Sequence, residues 1–146
     1  MTLDKQFCTF FVDGLCFGLD VLKIQEIIRY QEMTRVPLGP PVVRGLINLR
    51  GQIVTAIDLR RRLQLQERPA DQHPINVIVE TADGAVSLLV DEIGDVQHVA
   101  ESAFETPPET LTGAARTMIQ GAYKLKDRLL LILDTDRVVN LADVSQ

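Results

Sequence analysis

The chain has 146 residues, of which 46% are hydrophobic and 24% charged, values typical of one globular domain with a sizeable core and not of a disordered chain. The formal net charge of -5, without a dense lysine and arginine face, argues against nucleic acid as the main partner. No apolar run approaches the roughly 18 residues that span a bilayer, and residues 1–7 carry no secretory signal, so we expect a cytoplasmic protein that does not insert into the membrane.

The N-terminal region predicts a β-hairpin over residues 7–19. Asp13-Gly14 favours a two-residue turn, which fixes the pairing of the two strands. In that register Cys8 and Cys16 fall on opposite faces, since side chains alternate along a strand. Because their thiols point apart, we expect two buried, reduced cysteines and no disulfide.

Residues 21–30 predict a short helix or turn. The apolar residues fall at helical spacing and polar residues occupy the other side; the apolar set is Val21, Ile24, Ile27 and Ile28. The prolines and glycine of residues 33–43 then favour an extended loop.

A second hairpin is predicted from strands 44–49 and 52–58, with Arg50 and Gly51 at its turn. Gly51 is expected to supply the positive φ that such a turn requires. The basic run 60–62 follows this hairpin, and we interpret it as a solvated strand end and not as a binding patch.

The second half of the chain predicts further short strands after a polar connector over 64–74. They cover 75–80 and 85–93 around Asp83-Gly84, DVQHV (95–99), and 116–125 and 128–134, with a loop over 100–114 before the last two. A short terminal helix should follow, with Asp134 as its N-cap.

An internal repeat relates the two halves. GLINLRGQIVTAID (45–58) aligns with GAYKLKDRLLLILD (121–134) at an offset of 76, and the Asp-Gly pairs at 13–14 and 83–84 repeat at an offset of 70. Short strands at this spacing, with almost no helix, favour two small barrels or a closed sandwich over an α/β fold.

Catalytic and metal-binding motifs are scarce. No glycine-rich phosphate loop and no metal-ligand spacing of Cys and His is present, so we expect no metal and no cofactor. His73 and His98 are interpreted as structural residues. Asp91 and Glu92 could in principle bind Mg²⁺ or act as acid and base. Capping explains Asp58 and Asp134, which occupy matching strand ends, and an enzyme is therefore the weaker class.

Arg50 interrupts an otherwise apolar stretch, and its place at a hairpin tip lets the guanidinium reach the surface. One interpretation is that Arg50 is only a soluble tip residue, since such tips are usually polar. Asn48 has a similar structural explanation, because its side chain can hydrogen-bond the turn backbone.

Four segments together resemble the CheW family, the coupling proteins of bacterial chemotaxis. They are FGLDVLKIQEII (17–28), RVPLGPPVVRGLINLRGQIVTAIDLR (35–60), LLVDEIGDV (88–96) and GAYKLKDRLLLILD (121–134). CheW-like domains also occur in the kinase CheA and in CheV. This chain has no room for a kinase ATP site or a receiver domain, so a free-standing coupling protein fits best.

The resemblance implies an all-β fold of two SH3-like, five-stranded β-barrel lobes related by a pseudo-two-fold, with short helices, in a single domain over residues 1–146. It also implies a non-catalytic scaffold that joins chemoreceptor tips to CheA in membrane-associated arrays. A similar coupler works in twitching motility and other chemosensory pathways, which is an alternative. A small-ligand-binding β-barrel protein, or a hydrolase lobe using Asp91 and Glu92, is the competing class.

The resemblance also implies three contact surfaces. The receptor-facing groove comprises Ile24, Glu26, Asn48 and Arg50, where Glu26 and Arg50 can pair with each other when unbound. The kinase-facing surface comprises Ile27, Arg44 and Gly45, the glycine giving a partner's apolar side chain room to approach.

A weaker ring contact would use the loop containing Glu105 and Glu109. The chain departs there from the family pattern, which has a basic residue at the position of Glu105 and an aromatic one at Thr110. This departure argues against ring contacts from that loop.

Overall fold

Ten strands form two five-stranded sheets in the computed structural model, which describes residues 4–141. The strands are β1 Asp4–Val12, β2 Leu15–Asp20, β3 Ile24–Ile28, β4 Val43–Leu49, β5 Gln52–Asp58, β6 Ile75–Thr81, β7 Gly84–Val90, β8 Glu92–Ala100, β9 Ile119–Lys124 and β10 Leu129–Leu133. The α-helices are α1 Leu59–Arg62, α2 Gly113–Met118 and α3 Thr135–Val139, and 3-10 turns span Val21–Lys23 and Glu101–Ala103. Within the described residues, no helix has the length and apolar character needed to cross a membrane.

The two sheets are built by exchange between the halves of the chain. The first sheet has the order β8-β1-β2-β10-β9 and the second has the order β3-β6-β7-β5-β4. Shifting every strand number by five converts one order into the other, so a pseudo-two-fold relates the sheets. The predicted all-β fold of two SH3-like lobes is confirmed, although each sheet stays open and does not close into a complete barrel.

The first hairpin has the predicted register. Cys8 lies opposite Leu19, and Cys16 lies opposite Phe11. Asp13 has a φ of 51°, and the following glycine is also left-handed, as a type I′ turn requires. Both thiols are free, Cys16 buried and Cys8 partly buried, and burial raises the pKa of each.

The short helix or turn predicted over residues 21–30 is confirmed only in its first three residues, and the rest of the prediction is wrong. Only Val21–Lys23 forms a 3-10 turn, and the residues that follow are the edge strand β3. A β-bulge between Ile24 and Glu26 inserts one extra residue against β6. The extra residue puts Ile24 and Ile27 on one face of the strand although they are three residues apart. Ile28 lies on the other face and packs against a different cluster, so the helix-like spacing does not reflect one apolar face.

Three further sequence predictions differ from the structure. The basic run is not a solvated strand end, because it forms α1 and buries Arg60 and Arg62. The strand predicted from residue 116 begins at Ile119, since the preceding residues complete α2, whose alanines favour helix. The strand predicted over 85–93 breaks at Asp91, before β8 begins.

The repeat is visible in the packing of two glycines at its equivalent positions. Gly45 follows the register shift in β4, and a Cβ there would lie 2.7 Å from the Thr34 carbonyl oxygen. Gly121, 76 residues later on β9, is covered in the same way by the Glu105 carbonyl. In each lobe a loop residue thus pairs with the strand that carries the glycine: Thr34 with Leu46 on β4, and Glu105 with Ala122 on β9. Only glycine leaves room for the loop at these positions.

The main core lies between the two sheets, and each lobe has a smaller cluster of its own. The main cluster includes Phe10, Phe17, Leu88 and Leu131, all at most 4% exposed. The lobe clusters are Phe7, Cys16, Tyr123, Leu130 and Ile132 in the first lobe and Ile47, Val54, Ile78 and Ala85 in the second. Full burial of each large apolar side chain contributes roughly 1.5–3 kcal/mol.

Candidate functional site

The two edge strands of the second sheet meet at an exposed ion pair. β3 and β4 lie at opposite ends of the sheet order, yet Arg50 Nη2 pairs with Glu26 Oε1. The side chain of Arg50 is 67% exposed and that of Glu26 27%. The sheet therefore curls until its edges approach, and the pair expected between Glu26 and Arg50 is present.

The hairpin tip holds Arg50 in a strained backbone conformation. Arg50 has a φ of 53° and Gly51 a φ of 87°, so both central residues of the turn are left-handed and not Gly51 alone. Asn48 Oδ1 accepts a hydrogen bond of 2.8 Å from the Gly51 N–H, which is the structural role considered for Asn48. A left-handed conformation costs a non-glycine residue roughly 1–2 kcal/mol, and such strain is often found at functional sites.

The fourth residue predicted to face the receptor, Ile24, differs from the other three. Ile24 is partly buried and packs against the main core, so it offers a partner little of its side chain. Glu26, Asn48 and Arg50 are brought together at the curled edge. Ile53, which pairs with Asn48 across the hairpin and is 60% exposed, supplies an apolar surface that the sequence analysis did not assign.

The residues predicted to face the kinase lie on both edge strands. Ile27 is 38% exposed and points to the opposite face from Glu26. Arg44 is on β4, where Nη1 donates to Asp58 Oδ2 at 3.3 Å. The chain's own Thr34 lies close above Gly45, which gives a structural reason for a glycine at this position; kinase contact at Gly45 stays a prediction.

A proline-rich loop beside Arg44 carries a residue that the sequence analysis missed. Leu38 is fully exposed and has a φ of 63°, between Pro37 and Pro40. The loop borders a groove of about 400 Å³ that Arg44 and Arg61 also line. A leucine surrounded by prolines, which cannot continue a strand or helix, is a sequence signal of an exposed apolar tip.

The loop predicted to make ring contacts is held partly by its own lobe. The backbone of Glu105 pairs with Ala122, and the Glu105 carboxylate lies 3.9 Å from Lys124 Nζ. Glu109 is exposed, and Phe104 is 45% exposed.

A buried cluster of charges joins the two lobes, and the sequence analysis did not find it. Arg60 Nη2 donates to Asp91 Oδ2 at 2.6 Å, and Arg68 contacts both Asp91 and Asp58. Burial alone would raise the pKa of Asp91, but hydrogen bonds from Arg60, from the Asp13 backbone N–H and from Arg68 outweigh it and lower that pKa. Both oxygens of Asp91 are occupied, so this carboxylate holds the fold together and is not a free acid or base.

Asp58 and Asp134 both have the capping role predicted for them. Asp58 accepts a hydrogen bond from the Arg60 N–H at the start of α1, and Asp134 accepts one from the Arg137 N–H at the start of α3.

Comparison with known proteins gives consistent matches over the whole fold. The family model described as CheW-like domain matches residues 6–143. The Chemotaxis protein CheW of Bacillus subtilis is 35% identical over 136 residues, covering 93% of this chain and 87% of that protein. The Chemotaxis protein CheW of Klebsiella aerogenes is 28% identical, covering 99% and 87%.

Two further matches concern a structure and a differently named protein. The crystal structure of the scaffolding protein TtCheW from Thermoanaerobacter tengcongensis superposes with a TM-score of 0.85 at 26% identity, covering 96% of this chain and 90% of that one. Protein PilI of Pseudomonas aeruginosa is 25% identical, covering 78% of this chain and 64% of that protein.

Proposed function

The chain belongs to the CheW-like domain family, and we propose that it couples chemoreceptors to the histidine kinase CheA in a chemosensory array. It is a scaffold protein of chemotaxis and not an enzyme. The observation that carries the coupling role is the exposed Arg50–Glu26 pair, held on a strained turn at the surface of the second lobe.

The receptor contact is proposed for the curled edge of the second sheet. Arg50 and Glu26 present opposite charges at fixed positions, and Asn48 keeps the tip rigid through its bond to Gly51. A helical receptor tip with an apolar stripe could lie along the adjacent aliphatic surface, which includes Ile53. Charged groups at the rim add little affinity but select the partner and its register.

The kinase contact is proposed for the opposite face of β3 and the outer side of β4. Ile27 supplies exposed apolar area, which contributes about 25 cal/mol per Å² when it is buried. Arg44 is 42% exposed beyond its bond to Asp58 and can fix the orientation of the partner. Because each such contact is small, recruitment to a membrane-associated array would depend on many contacts acting together.

A second candidate is a coupling protein of a non-flagellar pathway, such as twitching motility. The similarity to Protein PilI favours it, although the identity to CheW proteins covers more of both chains. In either pathway the partners are a CheA-type kinase and receptor tips, with no nucleic acid and no insertion into the membrane.

The test is a pull-down of the tagged chain from a lysate of its native cells, followed by mass spectrometry. Recovery of a histidine kinase together with a coiled-coil receptor supports the proposal, and the receptor type distinguishes the two pathways. Recovery of neither, with the folded chain present, would contradict it.

A further inference from the structure

A groove on the first lobe is lined by none of the residues assigned to receptor or kinase. Its volume is about 490 Å³, and it lies between β1, β9, β10 and α3. Its carboxylates are Asp20, Glu101, Asp134 and Asp136. They outnumber its two lysines, so the groove favours a cation.

Tyr123 gives this groove a second property that points to a ligand. The residue is only 3% exposed, and its ring packs against Phe7 at 5.5 Å and Phe104 at 5.3 Å between ring centroids. Among residues 4–141 its hydroxyl has no hydrogen-bond partner, while the residue lines the groove. Burial, and then the nearby charge of Glu101, raise the pKa of Tyr123, so the hydroxyl stays neutral and can accept a hydrogen bond.

The repeat shows what the aspartate at this position binds in the other lobe. Asp134 is equivalent to Asp58, whose side chain is 1% exposed and lies within 3.3–3.9 Å of three arginines: Arg44, Arg61 and Arg68. The side chain of Asp134 is 24% exposed, and the structure places Arg137 alone beside it, at 3.6 Å, within the described residues. The first lobe therefore has the same aspartate with room for another guanidinium.

We propose that this groove is a docking socket for an arginine side chain presented by a partner protein. The guanidinium would pair with Asp134 and the neighbouring carboxylates and donate to the Tyr123 hydroxyl. Phe104, 45% exposed, can stack on the guanidinium plane or cover the apolar residue beside the arginine. Arginine fits better than lysine because its planar fork can serve two acceptors and stack on a ring.

The test is an NMR titration of the ¹⁵N-labelled chain with acetyl-leucyl-arginine amide. The matched control peptide has citrulline, which keeps the shape of arginine without its charge. We expect saturable shift changes confined to residues 101–104, 120–123 and 132–136, and binding of the citrulline peptide weaker by about ten-fold or more. Asp134→Asn retains an N-cap, and Tyr123→Phe retains the ring, so each should weaken the arginine peptide about five-fold without unfolding the chain.

Three outcomes would overturn the proposal. They are equal binding of the citrulline peptide, shift changes spread over every exposed carboxylate, and equal affinity for free guanidinium ion, which would indicate a site for small cations. None of the residues assigned to receptor or kinase lines the groove. The arginine proposal can therefore fail while the coupling function stands, and the coupling function can fail while the arginine proposal stands.

Discussion

Arg50 and Glu26 form an ion pair between two strands that are not neighbours in their sheet. Arg50 extends from the tip of the β4–β5 hairpin, and Glu26 lies beside the bulge of β3. An exposed pair of this kind contributes only about 0–1 kcal/mol to stability. Stability therefore gives little reason for the pair, which agrees with the proposal that it presents two charges to a partner.

Arg50→Glu should abolish receptor coupling while leaving the fold nearly unchanged. The substitution places two carboxylates together at the tip but removes no buried contact. We expect a change in melting temperature of less than about 3 °C. Circular dichroism on heating measures the fold, and a much larger loss would show that Arg50 has a structural role.

Ile27→Asp should weaken binding to the regulatory domain of CheA about ten-fold or more, since it places a charge in an apolar contact. Isothermal titration calorimetry with the purified domain measures the change. Ile53→Asp is the matched control, because it puts the same charge on an exposed isoleucine away from the proposed kinase surface. Equal effects of the two substitutions would contradict the assignment of Ile27.

Gly45→Ala should destabilise the fold by about 1–3 kcal/mol, because the new Cβ would press on the Thr34 carbonyl oxygen. Urea unfolding gives the change in the free energy of unfolding. Gly121→Ala should have a similar effect at the equivalent position, whereas Gln52→Ala, at an exposed site on β5, should be nearly neutral. If Gly45→Ala kept the unfolding free energy of the wild type and still lost kinase binding, direct contact between the kinase and Gly45 would be supported instead.

Asp91→Asn should lower the free energy of unfolding by about 3–5 kcal/mol, since it leaves Arg60 and Arg68 buried without their shared anion. The pKa of Asp91 is lower in the folded chain than in the unfolded one. Its stabilising contribution is therefore complete above the unfolded value of about 3.9 and disappears as the pH falls through the folded value.

Urea unfolding of the wild type and Asp91→Asn at several acidic pH values tests this dependence. The difference in unfolding free energy between them should shrink as the pH falls below about 4. Glu92→Gln, an exposed neighbour, should behave like the wild type. A constant difference between wild type and Asp91→Asn at every pH would rule out ionisation of Asp91 as its cause.

Local signals were sufficient for the hairpins and insufficient for the buried charges. Asp13-Gly14 fixes both the turn and the register, so the pairing of β1 with β2 follows from a few adjacent residues. The bulge in β3 depends on its pairing with β6, about 50 residues away, and no local pattern reveals it. Arg60 reaches an aspartate 31 residues later in the chain, and the basic run alone gives no sign of that partner.

The most direct test of the coupling role uses charge reversal on both sides of the ion pair. Receptor-containing vesicles and CheA are mixed with the wild type, with Arg50→Glu, with Glu26→Arg, or with the double variant, and the chain that sediments with the vesicles is measured. We expect both single variants and the double variant to lose co-sedimentation, because a partner reads these charges in fixed positions. Full recovery of co-sedimentation in the double variant, in which the ion pair is restored with its charges exchanged, would contradict the proposed receptor contact. It would indicate that the pair has a structural role.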